Sequence, residues 1–170
     1  MKTQAAPMTT RTLHYRLMAD ADCNRAASLV ARVFHECIAP LYDAEGVASF
    51  ESYIRPAEFG KRLRRAHFAL LAERGGDLVG LIEVKEHRRI TLLFVAVEHQ
   101  RQGIGRELVR LAARSCSVRR PELPVLAVSA SPNAVGAYEK MGFASAGPEL
   151  RIEGIRFVPM LSPLPLPENR

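Results

Sequence analysis

The sequence predicts a single α/β domain built on a mixed β-sheet, and three observations support this. Two apolar segments joined by Gly75-Gly76-Asp77 have the pattern of an antiparallel hairpin. After residue 90, strand and helix patterns alternate, and that order requires crossover connections and a parallel strand pair. The chain has 170 residues, 48% of them hydrophobic, without an internal repeat or a long linker, which fits one domain with one core.

The N-terminal part is predicted to form a strand followed by three helices. Residues 11–18 alternate apolar and polar side chains, as a half-buried strand does. Either Asp20 or Asp22 can cap the next helix, which ends before Pro40. The apolar face of this helix comprises Ala26, Val30, Val33, Phe34 and Cys37. Two further helices are expected on either side of a proline, near 44–53 and 57–66.

The middle of the chain is predicted to supply most of the sheet. FALLAER at 68–74 and LVGLIEV at 78–84 form the hairpin. ITLLFVAV at 90–97 is apolar on both faces, which indicates a central strand covered on both sides. A helix at 104–117 follows, and then a buried strand at 124–130.

The C-terminal part is predicted to add one helix and one hairpin. Ser131 suits the N-cap of the helix, Pro132 suits its first position, and Gly142 ends it. The hairpin is expected to pair 144–152 with 155–161. Residues 11–161 are therefore expected to be the domain, between a disordered tail at 1–10 and a loose, proline-rich tail at 162–170.

The composition argues against membrane, metal and nucleic-acid functions. No apolar run approaches the about 20 residues of a spanning helix, and the first residues lack the apolar region of a secretory signal. Cys23, Cys37 and Cys116 are too scattered for a zinc site or a disulfide framework, and they indicate reduced thiols in a cytoplasmic protein. The net charge of +6 either favours an anionic ligand or is a solvated arginine-rich surface. The densest basic segment, KRLRR at 61–65, has no interleaved aromatic residues, which argues against nucleic-acid binding.

The most informative stretch is Gln100-Arg101-Gln102-Gly103-Ile104-Gly105, where a predicted strand turns sharply into a helix. Glycines there permit a positive φ and let a ligand approach main-chain N–H groups. The unpaired N–H groups of the first helical turn, together with the helix dipole, favour an anion. Arg101 and Arg106 would add charge-assisted hydrogen bonds. The stretch therefore predicts a pyrophosphate site, and the alternative is a glycine-rich turn without a ligand.

Two common nucleotide sites are excluded by their motifs. The sequence contains no G-x-x-x-x-G-K-[ST], so the protein is not a P-loop NTPase. The dinucleotide fingerprint requires a third glycine where Leu108 stands. What remains is a phosphate ligand that is neither a nucleoside triphosphate nor NAD.

A second stretch, VLAVSASPNAVGAYEKMGF at 125–143, strengthens this hypothesis. Together the two stretches resemble the GNAT superfamily of acetyl-CoA-dependent N-acetyltransferases. The first matches its [QR]-x-x-G-x-[GA] loop, although Val97 replaces a usual proline and Arg101 a frequent glycine. The second is similar to its later strand and helix, with Asn133, Tyr138, Gly142 and Phe143 in an N-x-x-x-x-Y-x-x-x-G-F arrangement. The resemblance implies a mostly antiparallel sheet of about six to seven strands with a splayed parallel pair, flanked by about four helices.

The resemblance also implies how acetyl-CoA, the co-substrate, is held without a metal. Backbone N–H groups of the glycine loop would hold its pyrophosphate, and main chain at the end of the 90–97 strand would bond the pantetheine arm and polarise the acetyl carbonyl. The residues implied to bind it are Phe94, Val95, Ala96, Val97, Gln102, Gly103, Ile104, Gly105, Arg106, Asn133 and Tyr138.

Tyr138 and Glu83 are the candidate catalytic residues. The resemblance implies that Tyr138 protonates the departing thiolate, and a phenol with a pKa of about 10 is protonated at neutral pH. The alternative is a core tyrosine. Glu83 lies within an apolar strand, where desolvation favours a base of raised pKa. The alternative is a structural glutamate bonded to Lys85, an arginine or the backbone.

The resemblance implies that the first helices build the acceptor pocket, so we expect it within residues 38–56, with Tyr42, Phe50 and Tyr53 lining it. Candidate residues for selecting the substrate are His35, Tyr42, Asp43 and Glu45. The acids of this region would suit a cationic amine, whether a small molecule, a peptide N-terminus or a protein lysine.

The leading hypothesis is therefore acetyl transfer to a primary amine by direct attack in a ternary complex, since no cysteine stands beside a histidine as acyl carrier. The alternative is a coenzyme-binding sensor or scaffold without turnover. A basic nucleic-acid-binding protein is a third class, which the lack of stacking aromatics disfavours. The exposed edge of the final hairpin is compatible with a homodimer.

Overall fold

The computed structural model describes residues 12–167, so the tail expected at 1–10 lies outside the described residues. The β-strands are β1 (Leu13–Leu17), β2 (His67–Arg74), β3 (Asp77–Lys85), β4 (Arg89–Val95), β5 (Val125–Ala130), β6 (Ala144–Ser145), β7 (Leu150–Ile152) and β8 (Ile155–Pro163). The α-helices are α1 (Cys23–Cys37), α2 (Ala44–Tyr53), α3 (Pro56–Leu63), α4 (Ile104–Arg119) and α5 (Val135–Glu139).

The predicted mixed sheet is confirmed. Its strand order is β1-β2-β3-β4-β5-β8-β6, with β7 pairing on β8. Every described pairing is antiparallel except β4 with β5, which is parallel. The described part of the chain has eight strands and five helices, slightly more than the resemblance implies. One reason is that the segment expected as a single strand at 144–152 is divided at Gly147 into β6 and β7.

Each face of the sheet carries its own apolar cluster. On one face, α4 buries Ile104, Leu108 and Ala112 against strand residues such as Ile82 and Ile90. On the other face, α1 and α3 bury their apolar sides against the alternate residues of β2, β3 and β4; these helix residues include Ala26, Val30, Phe34 and Phe59. Burying a Leu, Ile or Phe side chain stabilises the fold by about 1.5–3 kcal/mol each, so both layers hold the central strands firmly.

Gly80 explains how closely α4 approaches the sheet. A Cβ atom built at this position of β3 would lie 3.1 Å from Ile104 Cγ2 and 3.2 Å from Leu108 Cδ1. The missing side chain therefore fixes the depth at which the first turns of α4 sit on the sheet.

The start of α1 differs from the predicted capping. A short 3₁₀ turn at Asp20–Asp22 precedes the helix, and neither aspartate makes a side-chain cap bond to the N–H groups of α1. Instead, the Asp22 carboxylate accepts hydrogen bonds from the Ala19 N–H at 2.9 Å and from Arg16 Nη1 at 2.7 Å. Asp22 therefore ties β1 to the helix rather than capping it.

The last predicted helix and the C-terminal segment also differ from the prediction. Ser131 does not cap a helix; its hydroxyl donates to Asn133 Oδ1 at 2.8 Å, and a 3₁₀ turn at Pro132–Ala134 precedes α5. Gly142 follows the helix with a φ of +92°, as expected for a C-terminal glycine. A loose segment is expected at 162–170, but its described part differs: β8 runs to Pro163, and Leu164 and Leu166 pack on the core, while residues 168–170 lie outside the described residues. The apolar side chains of Leu164 and Leu166 favour packing on the core over exposure to solvent, which explains the difference from the expected loose segment.

Candidate functional site

The central parallel pair opens into a slot. The ladder between β4 and β5 contains only the partners Arg89–Ala127 and Ile90–Val128. Beyond these partners β4 continues to Val95 and β5 to Ala130, but the two strands no longer pair with each other. The expected splayed pair is thus confirmed, and the separation leaves main-chain groups along the slot that do not pair with the neighbouring strand.

A groove of about 740 Å³ passes through this slot. We divide its lining into two parts. The loop half is lined by residues from the end of β4, the following loop, the start of α4, the end of β5 and α5. The aromatic half lies against α1 and α2 on the opposite face of the sheet, and its lining comprises Val33, Cys37, Ile38, Tyr42, Phe50, Thr91, Leu92 and Phe94.

The loop half presents a bare helix N-terminus. Gly103 precedes α4 in the left-handed region with a φ of +83°, and a Cβ there would meet nothing within 4 Å. Arg101 adopts a φ of +60°, which also belongs to this tight turn. A Cβ at Gly105 would touch only Val95 Cγ2, at 3.6 Å. The first N–H groups of the 16-residue helix therefore face a space that no side chain fills.

The charged side chains that line the groove are all basic. They are Arg101, Arg106 and Lys140, and all belong to the loop half, which the imidazole of His99 also lines. Arg106 Nη2 also donates to the Lys140 carbonyl at 3.3 Å, which joins the first turn of α4 to the end of α5. Within residues 12–167 no aspartate or glutamate lines the groove. The helix dipole and these cations together favour an anionic group, such as a diphosphate.

Most of the residues expected to bind the coenzyme lie in this groove. Those that line it are Phe94, Val95, Gly103, Ile104, Gly105, Arg106, Asn133 and Tyr138. Ala96, Val97 and Gln102 do not line it. The Ala96 N–H donates to the Val79 carbonyl at 2.9 Å, and Gln102 Oε1 accepts from Arg74 at 2.8 Å, so both are directed toward β2 and β3.

Tyr138 reaches the groove from α5 and is nearly buried, with 5% of its surface exposed. Its ring packs edge-on against Phe143, with centroids 5.3 Å apart. Among the described residues its hydroxyl has no hydrogen-bond partner. Burial raises the pKa of this phenol above its ordinary value, so the hydroxyl stays protonated at neutral pH and is available as a donor.

Asn133 has a contact that the sequence did not suggest. Its side-chain Nδ2 donates to the Cys37 carbonyl at 3.1 Å, although the two residues are 96 positions apart. The bond joins the turn before α5 to the end of α1, and so it holds the two halves of the groove together.

Glu83 lies outside the groove lining, at full burial in β3. Its carboxylate accepts from Arg62 Nε at 2.7 Å and from Arg62 Nη2 at 3.2 Å. The Thr91 hydroxyl donates to the same carboxylate at 3.2 Å. The arginine partner that the sequence left open is therefore Arg62, whose guanidinium also stacks on the Tyr53 ring at 3.9 Å. The Thr91 side chain, which lines the groove, connects the Glu83 carboxylate to it.

The aromatic half agrees only in part with the expected acceptor pocket. Tyr42 and Phe50 line it as expected, whereas His35, Asp43, Glu45 and Tyr53 do not. The expectation of acids suited to a cationic amine does not hold for the described lining, because Asp43 caps α2 at the Gly46 N–H and pairs with Arg151. Sequence reasoning missed Thr91 and Cys37, whose neutral side chains carry no functional signal in the sequence, whereas Ile38 falls within the expected range of 38–56.

Across 12–167, no helix is long and apolar enough to span a membrane. The same residues contain no group of three or more His, Cys, Asp or Glu side chains arranged to hold a metal ion.

Comparison with known proteins places this architecture in context. The family model described as "Acetyltransferase (GNAT) domain" matches residues 38–162. No curated protein matches the chain significantly. Among solved structures, the chain is similar to a GCN5-related N-acetyltransferase from Rhodopseudomonas palustris, with a TM-score of 0.77, 22% identity, and coverage of 95% of this chain and 100% of that chain.

Two further structures share the fold. PaiA N-acetyltransferase from Thermoplasma acidophilum, in complex with coenzyme A, has a TM-score of 0.73 and 18% identity, covering 89% of this chain and 99% of that one. A spermidine N-acetyltransferase chimera from Vibrio cholerae and hSSAT has a TM-score of 0.62 and 22% identity, covering 89% and 95%.

Proposed function

The chain belongs to the GNAT acetyltransferase family, and on this basis we propose that it transfers the acetyl group of acetyl-CoA to a primary amine by direct attack. That it is an acyltransferase follows from the family and the fold. The kind of acceptor and the direct mechanism are the proposal.

The loop half has the features that coenzyme A requires. The free N–H groups at the start of α4 and the side chains of Arg101 and Arg106 would bind its diphosphate. The slot between β4 and β5 would hold the extended pantetheine arm, because its open main-chain groups suit amide partners. When bound there, acetyl-CoA supplies an activated thioester.

The chain's own groups would then orient and complete the transfer. The amine nitrogen bonds to the acetyl carbonyl carbon while a main-chain N–H at the end of β4 stabilises the negative charge on the oxygen. The carbon–sulfur bond breaks, and the Tyr138 hydroxyl donates its proton to the leaving sulfur. Solvent takes the surplus proton of the amine and restores that of Tyr138. We assign Glu83 no step, because Arg62 neutralises its carboxylate outside the groove.

The observation that carries this proposal is the bare entrance of α4 beside basic side chains. Gly105→Glu would place a carboxylate where the diphosphate is proposed to bind, although a Cβ there fits the fold. We expect the Kd for coenzyme A, measured by calorimetry, to rise by roughly 100-fold, since a like charge in a binding site costs several kcal/mol. Acetylation, measured as thiol release from acetyl-CoA with a panel of amines, should be lost at the same coenzyme concentration.

Gly136→Glu is the matched control. Gly136 is an exposed residue of α5 outside the groove lining, and a Cβ there meets nothing within 4 Å. This variant makes the same change of charge and should bind coenzyme A like the unaltered protein. Equal binding by both glutamate variants would refute the proposed site, and tight binding without thiol release from any amine would refute acetyl transfer.

A further inference from the structure

We propose that the acceptor is a primary monoamine carried on an apolar body, with arylalkylamines as the best examples, and that diamines and polyamines are poor substrates. The inference rests on the proposed acetyl transfer and narrows it to one substrate class. It comes from the chemistry of the aromatic half of the groove.

The walls of the aromatic half are almost entirely apolar. Val33, Ile38 and Phe50 come from the helical side, and Leu92 and Phe94 come from the sheet. The Phe50 and Phe94 rings lie 5.8 Å apart, and Phe50 stacks on the buried Phe34 at 4.1 Å. Such walls are stabilised by contact with a hydrocarbon or an aromatic ring, and they offer little to a hydrated charge.

The polar side chains of the aromatic half are uncharged, and two of them already form hydrogen bonds within the protein. The Tyr42 hydroxyl donates to the Arg156 carbonyl at 3.3 Å. The Thr91 hydroxyl lies 3.2 Å from the Glu83 carboxylate and 3.3 Å from the Glu83 carbonyl. Cys37 adds a thiol, which is a weak donor and acceptor. None of these groups supplies the negative charge that a second ammonium would need.

The acids on the elements around the aromatic half are either paired or on the outside. Asp43 accepts from the Gly46 N–H and pairs with Arg151. Glu51 lies 3.1 Å from His35 Nε2, and Glu83 is bound by Arg62. Glu36 and Glu45 are exposed and do not line the groove. The cationic lining of the loop half adds repulsion toward any further positive charge.

The same walls help the reacting amine itself. Transfer out of water disfavours an ammonium ion, so an amine entering the aromatic half has a lowered pKa and sheds its proton more readily. A monoamine is thereby delivered as the free base that attack requires, without a carboxylate in the groove. A diamine would bring a second charge that stays unpaired, which is costly in an apolar site.

A matched pair of amines tests this inference directly. Pentylamine and 1,5-diaminopentane have the same carbon chain and differ only in the distal amino group. With saturating acetyl-CoA, we expect kcat/KM from thiol release to be at least about 100-fold higher for pentylamine, because a pocket rejects an unpaired charge more strongly than an added hydroxyl. 2-Phenylethylamine should react at least as well as pentylamine.

Variants at Ile38 test whether a carboxylate in the aromatic half weakens the preference for pentylamine. Ile38 is half-buried at the end of α1 and lines the aromatic half. Ile38→Glu introduces a carboxylate and should lower the ratio of pentylamine to diaminopentane by about 10-fold, whereas Ile38→Gln, of the same size and uncharged, should leave the ratio within about 2-fold. Thermal melts of both variants confirm that they are folded.

The outcomes separate this inference from the proposed function. If diaminopentane reacts as well as pentylamine, the substrate class is refuted while acetyl transfer stands. If coenzyme A binds but no amine reacts, acetyl transfer is refuted. Calorimetry then compares the binding of pentylamine and diaminopentane to the aromatic half. Preferential binding of pentylamine would support the apolar site, and equal or absent binding would overturn it.

Discussion

At the scale of single residues, Tyr138 lines the groove in which we propose that it protonates the leaving sulfur. Its ring is fixed by Phe143 and its hydroxyl has no partner within the described structure, so the donor is not engaged elsewhere. Burial raises its pKa and thereby keeps the proton on the oxygen across the neutral and mildly alkaline range. Burial keeps the hydroxyl protonated but also makes it a weaker acid, so the proposed role of Tyr138 depends on its position in the groove and not on its pKa.

Replacing Tyr138 with phenylalanine tests this role. Tyr138→Phe keeps the ring and removes only the hydroxyl, so we expect kcat to fall by about 100-fold or more while the melting temperature stays nearly unchanged. Steady-state thiol-release assays give kcat, and calorimetry checks that the Kd for coenzyme A is preserved. A variant with unaltered kcat would show that the leaving sulfur is protonated by another group.

Glu83 behaves at this scale as half of a buried ion pair. Its partner Arg62 is largely buried, with 12% of its side chain exposed, so removing one charge leaves the other unpaired. We expect Glu83→Gln to lower the free energy of unfolding in urea by about 3 kcal/mol. The double variant Glu83→Gln with Arg62→Met should recover part of that loss. A loss below about 1 kcal/mol, or a large fall in kcat in the folded single variant, would contradict this structural role.

At the scale of elements, the junction between β1 and α1 depends on the Asp22 carboxylate. Its bonds to Arg16 hold the pKa of Asp22 at about 2, below its ordinary value of 3.8. A lowered pKa stabilises the fold at pH values above the unfolded pKa, and that stabilisation disappears as the pH falls through the folded pKa.

Two aspartate variants measure this contribution. Asp22→Asn should lower the unfolding free energy by about 1–3 kcal/mol at neutral pH and by much less at a pH of about 2, where the Asp22 carboxyl is already half protonated. Asp20→Asn is the control, because the Asp20–Arg64 pair is exposed and such pairs contribute little. Urea unfolding at both pH values gives the four differences. Equal effects of the two substitutions would refute a special role for Asp22.

The sequence predicted an element correctly where the residues that determine it are neighbours in the chain. The glycine loop at 100–105, the alternation after residue 90 and the Gly75-Gly76 hairpin each depend on a few neighbouring residues, and all three are found as expected. The partners that complete the site are distant in the chain. Arg62 meets Glu83 across 21 positions and Asn133 meets Cys37 across 96, so only the packing of α3 and α1 brings them together. That dependence is why the candidate base and the acid-lined pocket could not be judged from the sequence.

At the scale of the whole molecule, coenzyme binding should stabilise both halves of the groove. A ligand present at about 100 times its Kd stabilises a folded protein by about 2.7 kcal/mol, which for a domain of this size raises the melting temperature by roughly 5–10 °C. We expect this shift with coenzyme A. Pantetheine at the same concentration should give a clearly smaller shift, because it lacks the diphosphate and binds more weakly. Differential scanning fluorimetry makes the comparison, and equal shifts would argue against the helix N-terminus as the principal anchor.

The early divergence of β4 and β5 has a consequence for how this protein works with its reagent. Because the ladder between them stops after two partner pairs, the sheet contains a seam along which the two strands do not bond to each other, and among the described residues the one side chain that bonds to the end of β4 there is Gln100, which donates to the Val95 carbonyl at 3.0 Å. A pantetheine arm lying in that seam would act as a substitute strand, so that the sheet becomes continuous only while the reagent is held. Each catalytic cycle would then close and reopen the middle of the domain, and amide hydrogen exchange along the seam should slow whenever the coenzyme is present.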